Sequence, residues 1–300
     1  MQKFVTHLDS VQGKSKNTVN SYLSDLRLFF SYILDSKKLN EDTEIDINLI
    51  KTITIDDIYA FLSYINRERG NGPHARARKI ASIRKFYSFL SEVLEVIPDN
   101  IAKKLAVPKT PKKLPVYLTL DQAEDLLKNP TLRQNTRDYF ILTLFMNCGM
   151  RLSELCGINI GDIKGDTIVI TGKGNKQRTV YLNTACISAY RNYLMDREKI
   201  STEEKALFLN KNGGRLGQRG VENIVKKAFM LAGIDSTVYS THKLRHTAAT
   251  LMYQYGNVDV RALQDILGHE HLSTTEIYTH IDEARLREAV EENPLSAIDS

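Results

Sequence analysis

Between residues 102 and 115 the chain carries five lysines (Lys103, Lys104, Lys109, Lys112 and Lys113), no acidic residue, and three of its seven prolines, Pro108, Pro111 and Pro115. Proline fixes φ and removes a backbone donor, and like charges in a row repel, so the stretch reads as a linker. It divides 300 residues into two parts of domain size, and with 42% hydrophobic residues each part can bury its own core. The expected organisation is a domain over 1–107, a basic linker over 108–115 and a second domain over 116–300. About ten extended residues reach roughly 33 to 36 Å, enough to cross the ~12 Å major groove of a duplex. A plain solubilising spacer is the alternative.

The first part is patterned as helices throughout. Val19, Tyr22, Leu23, Leu26, Phe29, Phe30 and Ile33 recur at three- and four-residue steps, as do Ile80, Ile83, Phe86, Tyr87, Leu90 and Val93. Thr54 with Asp57 three residues on predicts a capping box opening a third helix through Ile55, Ile58, Phe61 and Ile65. Residues 67–85 carry seven basic side chains against Glu68 alone, either a solvated face or a surface that grips a phosphate backbone.

The second part is helical with one interruption. Residues 166–171 alternate as a strand, 172–175 form a turn and 177–182 a second strand, so Lys173 is expected at a hairpin tip. Helices follow over 240–255, closed by Gly256, and over 258–267, closed by Gly268. Ser273 with Glu276 reads as a capping box that puts Tyr278 in the second turn of a short helix. The expected fold class is mainly α with a small β-hairpin or sheet, the second domain being α+β.

Charge narrows the partner. Lys and Arg exceed Asp and Glu by 41 to 36, and the last twenty residues hold six acids and two arginines. That tail is −4, so the first 280 residues carry +9, a basic body suited to nucleic acid. Cys148, Cys156 and Cys186 are odd in number without paired spacing and read as buried reduced thiols. The apolar run 139–150 is twelve residues where a membrane span needs roughly twenty, and MQKFVTHLDS contains no apolar signal region, so a cytoplasmic location is expected.

His242 and Arg245 stand at i and i+3 near a helix N-terminus, where backbone donors and the dipole favour an anion. A capped helix with a surface Arg is the plain alternative. Metal binding by His242 and His246 with His269 and His271 is the other rival, opposed by Arg245 on the same face and by the absence of an accompanying cysteine or paired carboxylate. Arg151, in GMRLSEL, follows the apolar run, and Glu154 offers it a simple intrahelical ion pair. Lys173, in TGKGNKQR, fits an ordinary polar turn as well as a reactive one, and the string lacks the spacing of a nucleotide-binding loop.

Taken in order, NCGMRLSEL, TGKGNKQR, THKLRHTAATL and LGHEHLSTTEIYTH resemble, box by box, the tyrosine recombinases of the phage-integrase family, with the match running from about Leu118 to Ile281. The resemblance implies a two-domain DNA clamp whose first domain is a helical, SAM-like core-binding domain. It implies six active-site residues: Arg151, Lys173, His242, Arg245, His269 and Tyr278. Tyr278 would be the nucleophile, the two arginines would clamp the phosphate with His269, Lys173 would be the general acid and His242 the proton acceptor. No metal, ATP or other cofactor is implied.

The partner implied is double-stranded DNA at a specific site, bound by four protomers, either all of this chain or shared with a related recombinase. The apolar residues of the acidic tail, Ile281, Ala284, Leu286, Val290, Leu295 and Ile298, would dock on a neighbour or fold back on their own domain. The length is most similar to Xer-type and simple transposon or phage recombinases, whose tasks include integration, excision, transposition and chromosome partition. A type IB topoisomerase-like enzyme and a catalytically silent DNA-binding regulator are the alternatives.

Overall fold

The computed structural model describes residues 1–40, 42–108, 115–171, 177–256 and 258–268. The chain divides into two compact units, Met1–Lys112 and Lys113–Ser300.

The first unit is built from α1 (Gln2–Thr6), α2 (Lys16–Ser36), α3 (Ile47–Lys51), α4 (Ile55–Arg67) and α5 (Pro73–Ser88). The predicted capping box is present: Thr54 Oγ1 accepts from the Asp57 amide while the Asp57 carboxylate accepts from the Thr54 amide at 2.8 Å. One face of α4 then buries Ile58, Phe61 and Ile65 against Leu26, Phe29, Phe30 and Ile33 of α2 and Ile80, Ile83 and Phe86 of α5. The apolar periodicity of α5 fails at its end. Residues Phe89–Val93 form a π turn, with the Leu94 amide donating to the Phe89 carbonyl at 3.0 Å. The wider turn rotates the stripe, so Leu90 is buried but Val93 is 51% exposed.

The basic run is only partly a solvated face. Lys79, 6% exposed, donates to Asn71 Oδ1 at 2.9 Å and lies 3.7 Å from the buried carboxylate of Asp25. Arg78 Nη1 and Ser82 Oγ donate to the same carboxylate at 2.6 and 2.8 Å. A buried carboxylate is tolerated because these donors replace its lost water, and the cluster ties α2 to α5. Arg84 donates from Nε to the Ala102 carbonyl at 3.1 Å and from Nη2 to the Leu105 carbonyl. This corrects the start of the lysine-rich stretch: Ile101–Lys104 is a 3-10 turn, Ala102 and Leu105 are buried, and they belong to the first core. Residues 109–114 lie outside the described residues.

The second unit comprises α6 (Leu120–Lys128), α7 (Pro130–Arg133), α8 (Thr136–Cys148), α9 (Leu152–Gly157), β1 (Ile163–Lys164), β2 (Thr167–Thr171), β3 (Gln177–Tyr181), α10 (Thr184–Arg197), α11 (Gln218–Leu231), α12 (Thr241–Tyr255) and α13 (Val260–Leu267). It is mainly helical with a small sheet. Helix α8 is apolar nearly all round, and Phe140, Ile141, Leu142, Leu144 and Phe145 are fully buried, which makes it the central rod between α10 and α12. The two expected strands are present and pair antiparallel, the turn between them lying outside the described residues, and a short strand missed in the sequence extends them to an antiparallel sheet of order β1-β2-β3. Its register sets Ile168 opposite Val180 and Ile170 opposite Arg178. Because alternate residues share a face, Arg178 points inward with Val180. Cys148 and Cys186 are buried with their Sγ atoms 3.8 Å apart and unbridged, whereas Cys156 is half-buried. Among the described residues no helix is long and apolar enough to cross a membrane.

Candidate active site

Gly149 ends α8 in the left-handed conformation, φ 57° and ψ 34°, where a Cβ would also meet Leu267 Cδ2 at 2.8 Å. Glycine therefore lets the chain reverse tightly beneath α13 and deliver Arg151 to the start of α9. There Glu154 accepts from the Arg151 amide at 2.8 Å and from its Nη1 at 2.7 Å, so the anticipated ion pair exists. It does not exhaust the guanidinium. Nη2 of Arg151 donates to the Gly268 carbonyl at 2.7 Å, and the side chain remains 39% exposed.

Arg245 reaches the same place from α12. It is 4% exposed, with Nη1 donating to the Gly149 carbonyl and Nη2 to the Leu267 carbonyl at 2.7 Å. The two arginines thus hold consecutive carbonyls at the end of α13. That end is set by an Asp259 cap, whose carboxylate accepts from the Arg261 and Ala262 amides, and by Gly268 in the left-handed conformation at φ 64°. Two guanidiniums converging on one chain segment create a positive locus despite the carboxylate of Glu154.

His242 lies on the first turn of α12. Loss of water around its ring, then the charges of Arg245, Lys243 and Arg151, push its pKa below the ordinary histidine value. His246, one turn on, meets it edge to face at 4.5 Å between ring centroids, and burial followed by the His242, Lys243 and Arg245 charges takes it down to about 4. Both rings are therefore neutral near pH 7, and His242 is able to accept a proton. Of the six residues expected from the sequence, Arg151, His242 and Arg245 come together. Lys173, His269 and Tyr278 lie outside the described residues, as do the Ser273 and Glu276 pair and the tail over 281–300.

Sequence reasoning missed Arg178 as part of this constellation. Its Nη1 and Nη2 donate to Glu154 Oε1 and Oε2 at 2.6 and 3.1 Å, so one buried carboxylate bridges Arg151 and Arg178. The available signal is strand alternation, which puts Arg178 on the inward face with Val180.

The phage integrase family pattern matches residues 116–285, and that of the phage integrase N-terminal SAM-like domain matches residues 1–92. Tyrosine recombinase XerC of Caldanaerobacter subterraneus subsp. tengcongensis is 47% identical, the alignment covering 99% of this chain and 87% of that relative. Tyrosine recombinase XerC of Corynebacterium glutamicum is 35% identical over 95% of this chain and 88% of its own. The crystal structure of XerH site-specific recombinase bound to difH substrate, a pre-cleavage complex, superposes with a TM-score of 0.70 at 28% identity, covering 91% of this chain and 79% of that one. The chain belongs to the phage integrase family. It is an enzyme, a tyrosine-type site-specific recombinase of the Xer kind.

Proposed function

We propose that this recombinase cleaves and rejoins duplex DNA through a 3′-phosphotyrosyl intermediate. The Tyr278 oxygen attacks the scissile phosphorus, a Tyr–O–P bond forms and the bond from phosphorus to the 5′-oxygen breaks. His242 takes the phenolic proton and Lys173 supplies one to the departing 5′-oxygen. Arg151 and Arg245 bind the non-bridging oxygens, and His269 adds a hydrogen bond as charge builds on them. The observation that carries this reading is the convergence of Arg151 and Arg245 on the Leu267 and Gly268 carbonyls. The guanidiniums supply the positive charge that a metal would otherwise bring, and the phosphodiester energy is kept in the protein–DNA bond, so the reaction uses neither metal nor ATP. Rejoining is the same exchange run with a new 5′-hydroxyl.

The partner is a specific double-stranded site, a reading supported by the relative captured with difH substrate. Both domains contribute to gripping it: 1–107 as the core-binding domain, 116–300 as the catalytic domain, and 108–115 as a linker along the backbone. Exchange of two duplexes needs four nucleophiles, hence a tetramer of this chain on two sites, with the 281–300 tail docking on the neighbouring protomer.

Covalent trapping on a nicked target duplex tests the chemistry. The adduct on a denaturing gel is expected to form undiminished in excess EDTA. Loss of the adduct in chelator, restored by a divalent cation at constant ionic strength, would return the histidines to a metal-binding role. Neutralising Lys109, Lys112 and Lys113 together is expected to weaken binding to all sequences alike and to lower the slope of log K against log salt by about 0.9 for each phosphate no longer neutralised. An unchanged slope in salt titrations would leave the linker a spacer.

A further inference from the structure

Arg178 lies five residues beyond Lys173 in the sequence, on β3. Its fork faces both oxygens of Glu154, whose carboxylate also holds Arg151 through the backbone amide and Nη1. On its other side it packs against Gly268, where a Cβ would come within 2.9 Å of Arg178 Cδ and 3.1 Å of Nε. Arg178 therefore touches the carboxylate that sets Arg151 and the residue whose carbonyl Arg151 holds.

The electrostatics give this arrangement a direction. Burial pushes the Glu154 pKa up, but the bonds from Arg178 and Arg151 outweigh it, and the group stays ionised below the ordinary carboxylate value. Its negative charge is shared between two cations. Without Arg178 the whole charge would fall on Arg151. A guanidinium and a lone buried carboxylate favour a bidentate pair, and closing into it would turn Arg151 away from the Gly268 carbonyl and from an incoming phosphate.

We infer that Arg178 is a positioning residue for DNA cleavage: by engaging both oxygens of Glu154 it leaves Arg151 an open edge for the scissile phosphate, and it moors the β3 strand to the same carboxylate. The inference rests on the proposed role of Arg151.

The test is single-turnover cleavage at saturating nicked duplex, beside DNA affinity and thermal unfolding. Arg178→Met is expected to lower the cleavage rate by about 10² while DNA affinity stays at the parental value. Adding Glu154→Gln to that variant is expected to restore about tenfold, because a neutral amide no longer competes for Arg151. A merely structural role gives the opposite order, since removing the second partner damages the fold further. A double variant no faster than Arg178→Met overturns the inference, as does Arg178→Met cleaving at the parental rate. If Arg178→Met does not fold, the same comparison is made with Arg178→Lys, whose single point charge cannot span both oxygens. Arg151→Ala separates the two levels. Parental cleavage by that variant refutes the proposed function itself, whereas its inactivity beside a fully active Arg178→Met refutes this inference alone.

Discussion

A Tyr278→Phe variant is expected to bind its target duplex as tightly as the parent and to form no covalent adduct at all. The substitution removes one oxygen and leaves the ring, so packing and charge change little while the proposed nucleophile is lost. Labelled nicked DNA on a denaturing gel reads the adduct, and a gel shift reads binding. The chain has fourteen tyrosines. An adduct of normal yield in this variant would place the nucleophile on another of them.

The second large effect is expected from Arg245→Lys. The guanidinium is buried and spends two nitrogens on the Gly149 and Leu267 carbonyls, next to the Gly268 carbonyl that Arg151 holds. An ammonium retains the charge but cannot reproduce a planar fork, so it can satisfy the carbonyls or the phosphate in one geometry only. Cleavage is expected to fall by about 10² to 10³, the scale for losing one donor to a developing oxyanion. Stability is expected to fall by about 1 to 3 kcal/mol, because a buried carbonyl loses its donor. Single-turnover cleavage and thermal unfolding measure the two losses separately. A rate near the parental one with the stability loss intact would make Arg245 a strut between α8, α12 and α13 with no direct part in the chemistry.

Local signals carry much of this architecture. The capping box at Thr54, the hairpin bounded by Thr171 and Gln177, the helix from Thr241 and the left-handed glycine after Leu267 all depend on residues within a few positions of one another. What is illegible depends on partners distant in sequence or on a change of helical pitch. Lys79 looks like part of a solvated basic face because Asp25, which draws it inward, is 54 residues earlier. Val93 falls on the apolar stripe because a π turn leaves no mark in a pattern counted at 3.6 residues. Arg178 escapes notice because its role needs the strand register and the Glu154 carboxylate together. Arg151, His242 and Arg245 stand out through family resemblance, and each alone would pass for an ordinary surface residue.

The two consecutive carbonyls of Leu267 and Gly268 make helix α13 an alignment pin. Each is gripped by a different arginine, one arriving from the turn after α8 and one from α12. A shift of the pin by a fraction of an ångström misaims both guanidiniums at once, and the loss multiplies where a lesion at either arginine would count once. The pin is only eight residues long, held by Asp259 at one end and by the buried Leu263 and Leu267 along its length. Collections of inactive variants should therefore be rich in substitutions along α13, and activity alone would misfile them as lesions of Arg151 or Arg245.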